Sequence, residues 1–315
     1  MSASDTPYAT LSPDCVLDAI DSTGQLSDGR LLALNSYENR VYQVGLDAGG
    51  FIVAKFYRAG RWSDAAILEE HAFALELTAA ELPMVAPLVI DGQTLFTHQG
   101  FRFALYPRRG GRAPQLESRD NCEWMGRLIA RMHQVGRRAR FAHREAIDVD
   151  VFIDAPAQAV HDSGLLPPFL DSAYEQAVDR IDDGVEAAFA RIEPFRGLRL
   201  HGDCHGGNVL WTDDGPHFVD LDDARSGPAI QDLWMLAQSE AAMDALLEGY
   251  AQFGDMDPAE LALIPALRAM RQVHHAGWIA QRWADPAFPA AFPYAGEARW
   301  WQEHIDDLHR AADAL

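Results

Sequence analysis

Apolar and polar residues alternate with two different periods along this chain, and the change of period divides it. Residues 13–22, beginning PDCVLDAI, have helical spacing with Pro at the start. The pattern then shortens to strand-like runs. LLALNSYENRVYQVGL reads as two extended segments around a polar loop, DAGG as a turn and FIVAKFYR as a third strand. Trp62 opens a helix capped by Ser63 or Asp64, with Ala66, Leu68, Phe73, Leu75 and Leu77 as its buried positions. PMVAPLVI, a DGQT turn, LFTHQG and FRFALYP continue as further strands. Residues 31–106 are thus expected to form a small antiparallel sheet with one helix inserted after its third strand.

RRGGRAP at 108–114 is a polar, Gly-containing connector that sets the expected division, residues 1–107 against 108–315. Helical spacing dominates beyond it. Trp124, Leu128, Ile129 and Met132 share one face of a helix over 119–134, and further helices fit 171–192, 229–250, 258–283 and 297–313. Among them lies one β-like insert, RLHGDCHGGNVLWTDDGPHFVDLDD, in which TDDG joins two apolar runs. The predicted class is α+β, with a β-rich small lobe and a mostly helical large lobe.

Composition narrows the setting. At 315 residues with 48% hydrophobic and 23% charged positions, the chain has material for two lobes with real cores. It has no run of about 18 uncharged apolar residues, so no membrane partner is expected. MSASDTPYATLSPD lacks the basic and apolar regions of a secretory leader. Cys15, Cys122 and Cys204 form no CxxC pair, which suits reduced thiols in the cytoplasm. With 26 basic against 47 acidic residues the net charge is −21, which repels nucleic acid. The arginines between Arg127 and Arg144 form either a solvated helix face with its following loop or a docking patch for an acidic partner. Nothing points beyond a monomer.

Of those 26 basic residues, 25 are arginine and one, Lys55, is lysine. The two differ in shape, hydration and donor geometry, so the lone lysine marks a place that wants a compact ammonium.

The chemistry concentrates in His201-Gly-Asp203-Cys-His-Gly-Gly-Asn208 and, after a hairpin, Val219-Asp220-Leu-Asp222-Asp223. Phosphoryl transfer asks for a carboxylate that orients the attacking hydroxyl and accepts its proton, and for oxygen ligands to a metal bridging the phosphates. Asp203 and Asn208 have the D-x-x-x-x-N spacing of a kinase catalytic loop, with Asp203 as base and Asn208 as ligand. Asp220 supplies a second hard oxygen, a set that suits Mg2+ held jointly with ATP. Lys55, in V-A-K on the third strand, stands where kinases place the lysine that pairs with the α- and β-phosphates. Glu70, with Glu69 in reserve, is the expected carboxylate partner of that lysine. Asn35-Ser36-Tyr37-Glu38-Asn39 occupies the place of a phosphate-covering loop without any glycine. It is either an ordinary polar hairpin or a loop in which the Ser36 hydroxyl contacts ATP.

LNSYENRVYQ, VAKFYR, ILEEHAFALEL, GRLIARMHQ, LHGDCHGGN, FVDLDDARSGPAIQDLW and RWADPAFP together resemble the aminoglycoside phosphotransferase and choline kinase branch of the protein-kinase-like superfamily. The resemblance runs from about Asn35 to Pro289. HGD-x-H-x-x-N is common to the branch, whereas NSYENRVYQ and VDLDDARSGPAIQDLWM are similar to bacterial serine/threonine kinases of the stress response. The resemblance implies a two-lobed protein-kinase-like fold. It also implies Asp203 as base, Asn208 and Asp220 as Mg2+ ligands and Ser36 as an ATP contact. Asp232 matches a residue that braces the catalytic loop; by itself it reads equally as a helix N-cap.

Other features invite other readings. His201 and His205 flank Asp203 at zinc-like spacing but lack a third ligand. His133 ends an apolar face and reads as a core histidine. Trp278, Trp283, Trp300 and Trp301 read as packing of the large lobe. Asp222 and Asp223 beside Asp220 admit a two-metal hydrolase, which would have no use for Lys55. The acceptor is Ser or Thr of a protein, or a small alcohol such as choline, homoserine or an aminoglycoside; a catalytically dead binding module is a third reading. About a dozen residues separate Asp220 from the next helix, and no A-P-E follows, so the peptide platform of a typical protein kinase is missing.

Overall fold

The computed structural model describes residues 7–192 and 197–315. The chain opens with α1 (Pro13–Asp21), whose Ser12 side chain accepts the Cys15 N–H as an N-cap. The sheet follows: β1 (Ser27–Leu34), β2 (Arg40–Leu46) and β3 (Phe51–Phe56), then α2 (Asp64–Ala79), then β4 (Phe96–His98) and β5 (Phe101–Pro107). Its order is β1-β2-β3-β5-β4, antiparallel throughout. Ile52, Ala54 and Phe56 point to one face of β3 and join Val16, Ala19 and Ile20 of α1 in a core with Phe103 and Leu105. Alternation sends Val53 and Lys55 to the other face. That face lines the cavity between the lobes.

In α2 the cap is Ser63, which accepts the Ala66 N–H. Ala66, Phe73 and Leu77 are buried as expected, while Leu75 is half-buried and Leu68 is exposed. PMVAPLVI is not a strand. Pro83 and Pro87 have no N–H to give a ladder, and the segment is held by single bonds such as Val85 N to Phe218 O (2.9 Å) and Leu88 N to Leu105 O (2.6 Å).

After Pro107 the chain leaves the sheet, and Arg112 pairs with Trp211 of the C-terminal hairpin. The helical lobe contains α3 (Arg119–Gly136), α4 (Ala155–Ser163) and α5 (Asp171–Ala190). Next come β6 (Leu198–Leu200), the hairpin β7 (Val209–Thr212) and β8 (Gly215–Phe218), and β9 (Arg225–Gly227). The chain closes with α6 (Gln231–Trp234), α7 (Glu240–Ala251), α8 (Ile264–Gln281), α9 (Ala287–Ala291) and α10 (Ala298–Ala312). α3 and α7 cross at Gly126 and Gly249, where a Cβ on either would run into the carbonyl of Leu246 or Glu123. Within α3, Leu128, Ile129 and Met132 are buried, whereas Trp124 is part-exposed and meets Trp211 edge-on at 5.5 Å.

The helix expected over 229–250 is two, because the Ser239 side chain accepts the Ala242 N–H and starts α7 afresh. The one expected over 258–283 begins as a 3-10 turn, Pro258–Leu263, before α8 starts with Pro265 in its first turn. α4, led by one π-helical turn at Asp150–Asp154, and α9 were not legible in the periodicity. Among the described residues no helix is long and apolar enough to cross a membrane. The three cysteines are buried and unpaired.

Candidate active site

The loop 201–208 takes its shape from a buried carboxylate. Asp232, in the first turn of α6, accepts the backbone N–H groups of His201 (2.8 Å) and Gly202 (2.9 Å). His133 bridges Asp232 Oδ2 (3.1 Å) to the Tyr250 hydroxyl (3.0 Å), so it is a satisfied core histidine. Burial favours the neutral acid at Asp232, but the bond to His133 and the backbone donors more than offset it and lower its pKa. Gly202 has a φ of +84°, and a Cβ there would strike the Asp223 carbonyl, so no other residue fits.

This loop delivers Asp203 and Asn208 to the cavity. Asn208 Nδ2 donates to the Asp203 carbonyl (2.9 Å), which leaves the Asn208 side-chain oxygen free. The loop is tied to the next segment by Val219 N to Asn208 O (3.0 Å) and by a hydrogen bond between His201 Nε2 and Val219 O (3.0 Å). Asp220 follows with φ +63°, a conformation uncommon outside glycine, which turns its half-exposed carboxylate to the cavity. Non-glycine residues held in this region cluster at functional sites.

Lys55 faces three carboxylates: its Nζ lies 2.9 Å from Asp220, 3.0 Å from Asp222 and 3.8 Å from Glu70. Burial works against its charge, and the three carboxylates reverse that, raising its pKa well above the usual lysine value. Glu69 faces away from Lys55. Its carboxylate accepts the backbone N–H groups of Ala142, His143 and Arg144 at 2.7, 2.8 and 3.1 Å. Burial pushes Glu70 up to about 7 against the pull of Lys55 and Arg144.

The arginines of 127–144 do not all share one surface. Arg144 is buried, 3.6 Å from Glu70, and donates to the carbonyls of Ala66, Asp222 and Ala224. Arg131 and Arg137 donate to the carbonyls of Ala80 (3.1 Å) and Asp255 (3.0 Å).

Asp222 and Asp223 are already matched by arginine. Arg61 binds both, and Asn39 Nδ2 donates to Asp222 at 3.1 Å. Burial would raise Asp222, but Arg61 and Lys55 outweigh it and hold the carboxyl at about 2. Two arginine-bound carboxylates do not make a two-metal hydrolase. The zinc arrangement is likewise not there: among the described residues no three His, Cys, Asp or Glu side chains are placed to hold a metal ion.

Asp203 is bound by Arg271 Nη1 (2.7 Å) and lies 3.4 Å from His205 Nε2. Burial favours its neutral form, but His205 and Arg271 overcome this and hold it well below the usual carboxylate range.

The loop 35–39 is fastened across the cleft. Glu38 is buried, 3.0 Å from Arg58 and 2.5 Å from Arg282, and it accepts the Trp278 indole N–H at 2.6 Å. Asp285 binds Arg58 (2.6 Å) and Arg40 (3.1 Å), and Tyr37 meets Phe292 edge-on at 5.2 Å. Trp278 is thus a cavity residue, whereas Trp301 packs in the lobe core as expected.

Ser36, Lys55, Glu70, Asp203, Asn208 and Asp220 all border one cavity of about 750 Å³. Sequence reasoning missed Arg61, Arg271 and the Glu38–Arg282 and Asp285–Arg58 pairs. Glu38 and Asp285 lie within NSYENRVYQ and RWADPAFP, so charged residues inside those segments were an available signal; Arg271 had none.

Comparison with known proteins identifies the family. The model of the phosphotransferase enzyme family, APH, matches residues 30–269. Stress response kinase A of Escherichia coli O157:H7 is 46% identical over 310 residues, covering 96% of this chain and 94% of its own. The serine/threonine protein kinase RdoA of Salmonella typhimurium is 44% identical over 300 residues, covering 94% and 90%. Among solved structures, the amicoumacin kinase hAmiN, in complex with AMP-PNP, Ca2+ and Ami, superposes with a TM-score of 0.70 over 90% of each chain. Its identity is 19%, so that likeness shows the fold. A family match over most of the chain, with kinases this similar end to end, makes the protein an ATP-dependent kinase belonging to the APH phosphotransferase family.

Proposed function

We propose that the protein transfers the γ-phosphoryl group of Mg2+-ATP to a Ser or Thr hydroxyl of a protein. The observation that carries this reading is the convergence of Lys55, Asp203, Asn208 and Asp220 on one cavity. Asp203 orients the acceptor hydroxyl and takes its proton. The Asn208 side-chain oxygen and the Asp220 carboxylate, whose Oδ1 binds Lys55 and whose Oδ2 is open, fit a small hard cation, and these residues would hold the Mg2+, which neutralises phosphate charge. Lys55, oriented by Glu70, binds the α- and β-phosphates, and Ser36 contacts them from the loop above. The two relatives named as a stress response kinase and a serine/threonine kinase favour a protein acceptor, and three unpaired cysteines suit the reducing cytoplasm.

A small alcohol is the second reading. It is favoured by the short stretch from Asp223 to α6, which leaves no peptide platform, and by a structural neighbour that is an amicoumacin kinase. Incubation with labelled ATP, beside a panel of alcohols and with mass-spectrometric mapping of phosphosites, tests both. Phosphoserine or phosphothreonine on protein supports the first. Label found only on a small alcohol overturns it.

A further inference from the structure

The charge pattern around Asp203 specifies the chemistry of the acceptor; the inference rests on the phosphoryl-transfer reading above. Five cationic side chains reach the cavity: Lys55, Arg61, Arg109, Arg225 and Arg271. Lys55 and Arg61 are enclosed by Asp220, Asp222, Asp223 and Glu70. Arg225 is bound by Glu145 (3.0 Å) and lies 3.7 Å from Asp223. Arg109 belongs to the connector after β5.

Arg271 is different. Its Nη1 donates to Asp203 Oδ1 at 2.7 Å and lies 3.8 Å from Met235 Sδ, and among the described residues its guanidinium has no further hydrogen-bond partner. The side chain is 46% exposed. The same face of α8 brings His274, His275 and Trp278 to the cavity. Burial lowers His274 to about 4 and depresses His275 as well, so both are neutral and Arg271 is the charge on this wall.

A guanidinium has five N–H donors in a planar fork, and those on Arg271 Nη2 and Nε have no partner among the described residues. During transfer the acceptor oxygen bonds to the γ-phosphorus, its proton passes to Asp203, the bond from phosphorus to the bridging oxygen breaks, and ADP leaves. The reacting hydroxyl therefore sits beside Asp203, within reach of the open edge of Arg271. A cationic acceptor would be repelled there, and a neutral alcohol would leave the fork to solvent.

We propose that the acceptor carries a carboxylate or phosphate within about two hydrogen-bond lengths, ~6 Å, of its hydroxyl, and that Arg271 binds this group as the specificity-determining residue. The shared chemistry comes either from an acidic residue beside Ser or Thr or from a small hydroxy acid. The overall charge of −21 opposes anion binding, so a preference for anions has to come from the site itself.

The test uses the full chain with Mg2+ and AMP-PNP. Fluorescence anisotropy compares heptapeptides whose central Ser is flanked by Asp or by Asn, and competition compares glycerate with glycerol. The expected result is at least tenfold tighter binding of one anionic probe than of its neutral counterpart. Arg271→Gln erases the difference, and Arg271→Lys restores it in part. Preference for the Asp peptide places the anion on a protein acceptor; preference for glycerate alone places it on a small one. No anionic preference in the wild type, or a preference that survives in Arg271→Gln, overturns the proposal. AMP-PNP affinity is measured alongside: its absence counts against the kinase reading, whereas intact nucleotide binding without anion preference counts against this proposal alone.

Discussion

The Lys55 ammonium lies 3.0 Å from Asp222, a carboxylate enclosed on its other side by Arg61. Asp222 therefore compensates two buried cations at once. Removing one partner of a buried pair leaves uncompensated charge, which costs about 3–5 kcal/mol. Asp222→Ala should lower stability by that order in denaturant melts, and Asp222→Asn, which keeps the shape and the Asn39 contact, by less. An Asp222→Ala melt matching wild type would mean that water or another carboxylate balances Lys55 and Arg61.

Lys55→Arg keeps the charge but replaces a compact ammonium with a larger planar fork. It has to fit among Glu70, Asp220 and Asp222, all within 3.8 Å of the present nitrogen. A ~1 Å displacement of the phosphates costs about 100-fold when catalysis rests on positioning. Turnover in Lys55→Arg should fall nearly as far as in Lys55→Met, with both variants folded by thermal melt. Wild-type kcat and ATP KM in Lys55→Arg would remove Lys55 from the phosphate site.

Asp203 and Asp220 should separate in their effects. Asp203→Asn should bind Mg2+-ATP almost normally while turnover drops by ~10²–10⁴, the usual worth of a positioned base. Asp220→Ala should lose Mg2+-dependent ATP affinity in calorimetry, with Asn208→Ala milder. Unchanged turnover in the first or unchanged affinity in the second would refute the corresponding role.

Acid stability offers an independent check on the large lobe. His304 is buried, its Nε2 has no hydrogen-bond partner, and its ring stacks on Trp300 at 5.1 Å. Burial, helped by His275, lowers it to about 4. Below the unfolded value near 6.5, the unfolded chain therefore binds a proton that the folded chain refuses, and stability falls as pH drops from about 6.5 toward 4. His304→Phe keeps the stack and removes the proton. It should gain about 2 kcal/mol more at pH 5 than at pH 8 in paired denaturant titrations. Equal gains at both pH values would show that His304 does not contribute to the acid slope.

What the sequence revealed depended on how local the determining interaction was. Asp203 and Asn208 are five residues apart, so their shared loop was legible as spacing, and the cap of α2 was legible for the same reason to within one residue, Ser63 rather than Asp64. The choice between Glu70 and Glu69 was a question of helix phase: neighbours on a helix diverge by about 100°, and only packing decides which one turns inward. PMVAPLVI has the apolar content of a strand, but its two prolines have no N–H to give a ladder. Arg271 was invisible, since its partner Asp203 is 68 residues away and an arginine on an amphipathic helix normally faces solvent.

The Glu38 contacts with Arg282 and Trp278 give the two ends of the cavity a common mechanical part. Glu38 belongs to the loop proposed to cover the nucleotide, while Trp278 shares α8 with Arg271 beside Asp203. On the proposed roles, a nucleotide that shifts the loop would pull on the helix beside the acceptor site. By linkage, whatever factor nucleotide applies to acceptor affinity, acceptor applies to nucleotide affinity. Glu38→Gln, which weakens the tether without shortening the side chain, should bring that shared factor closer to one. Affinities measured for each ligand with and without the other give the factor twice over, once from each side of the cleft.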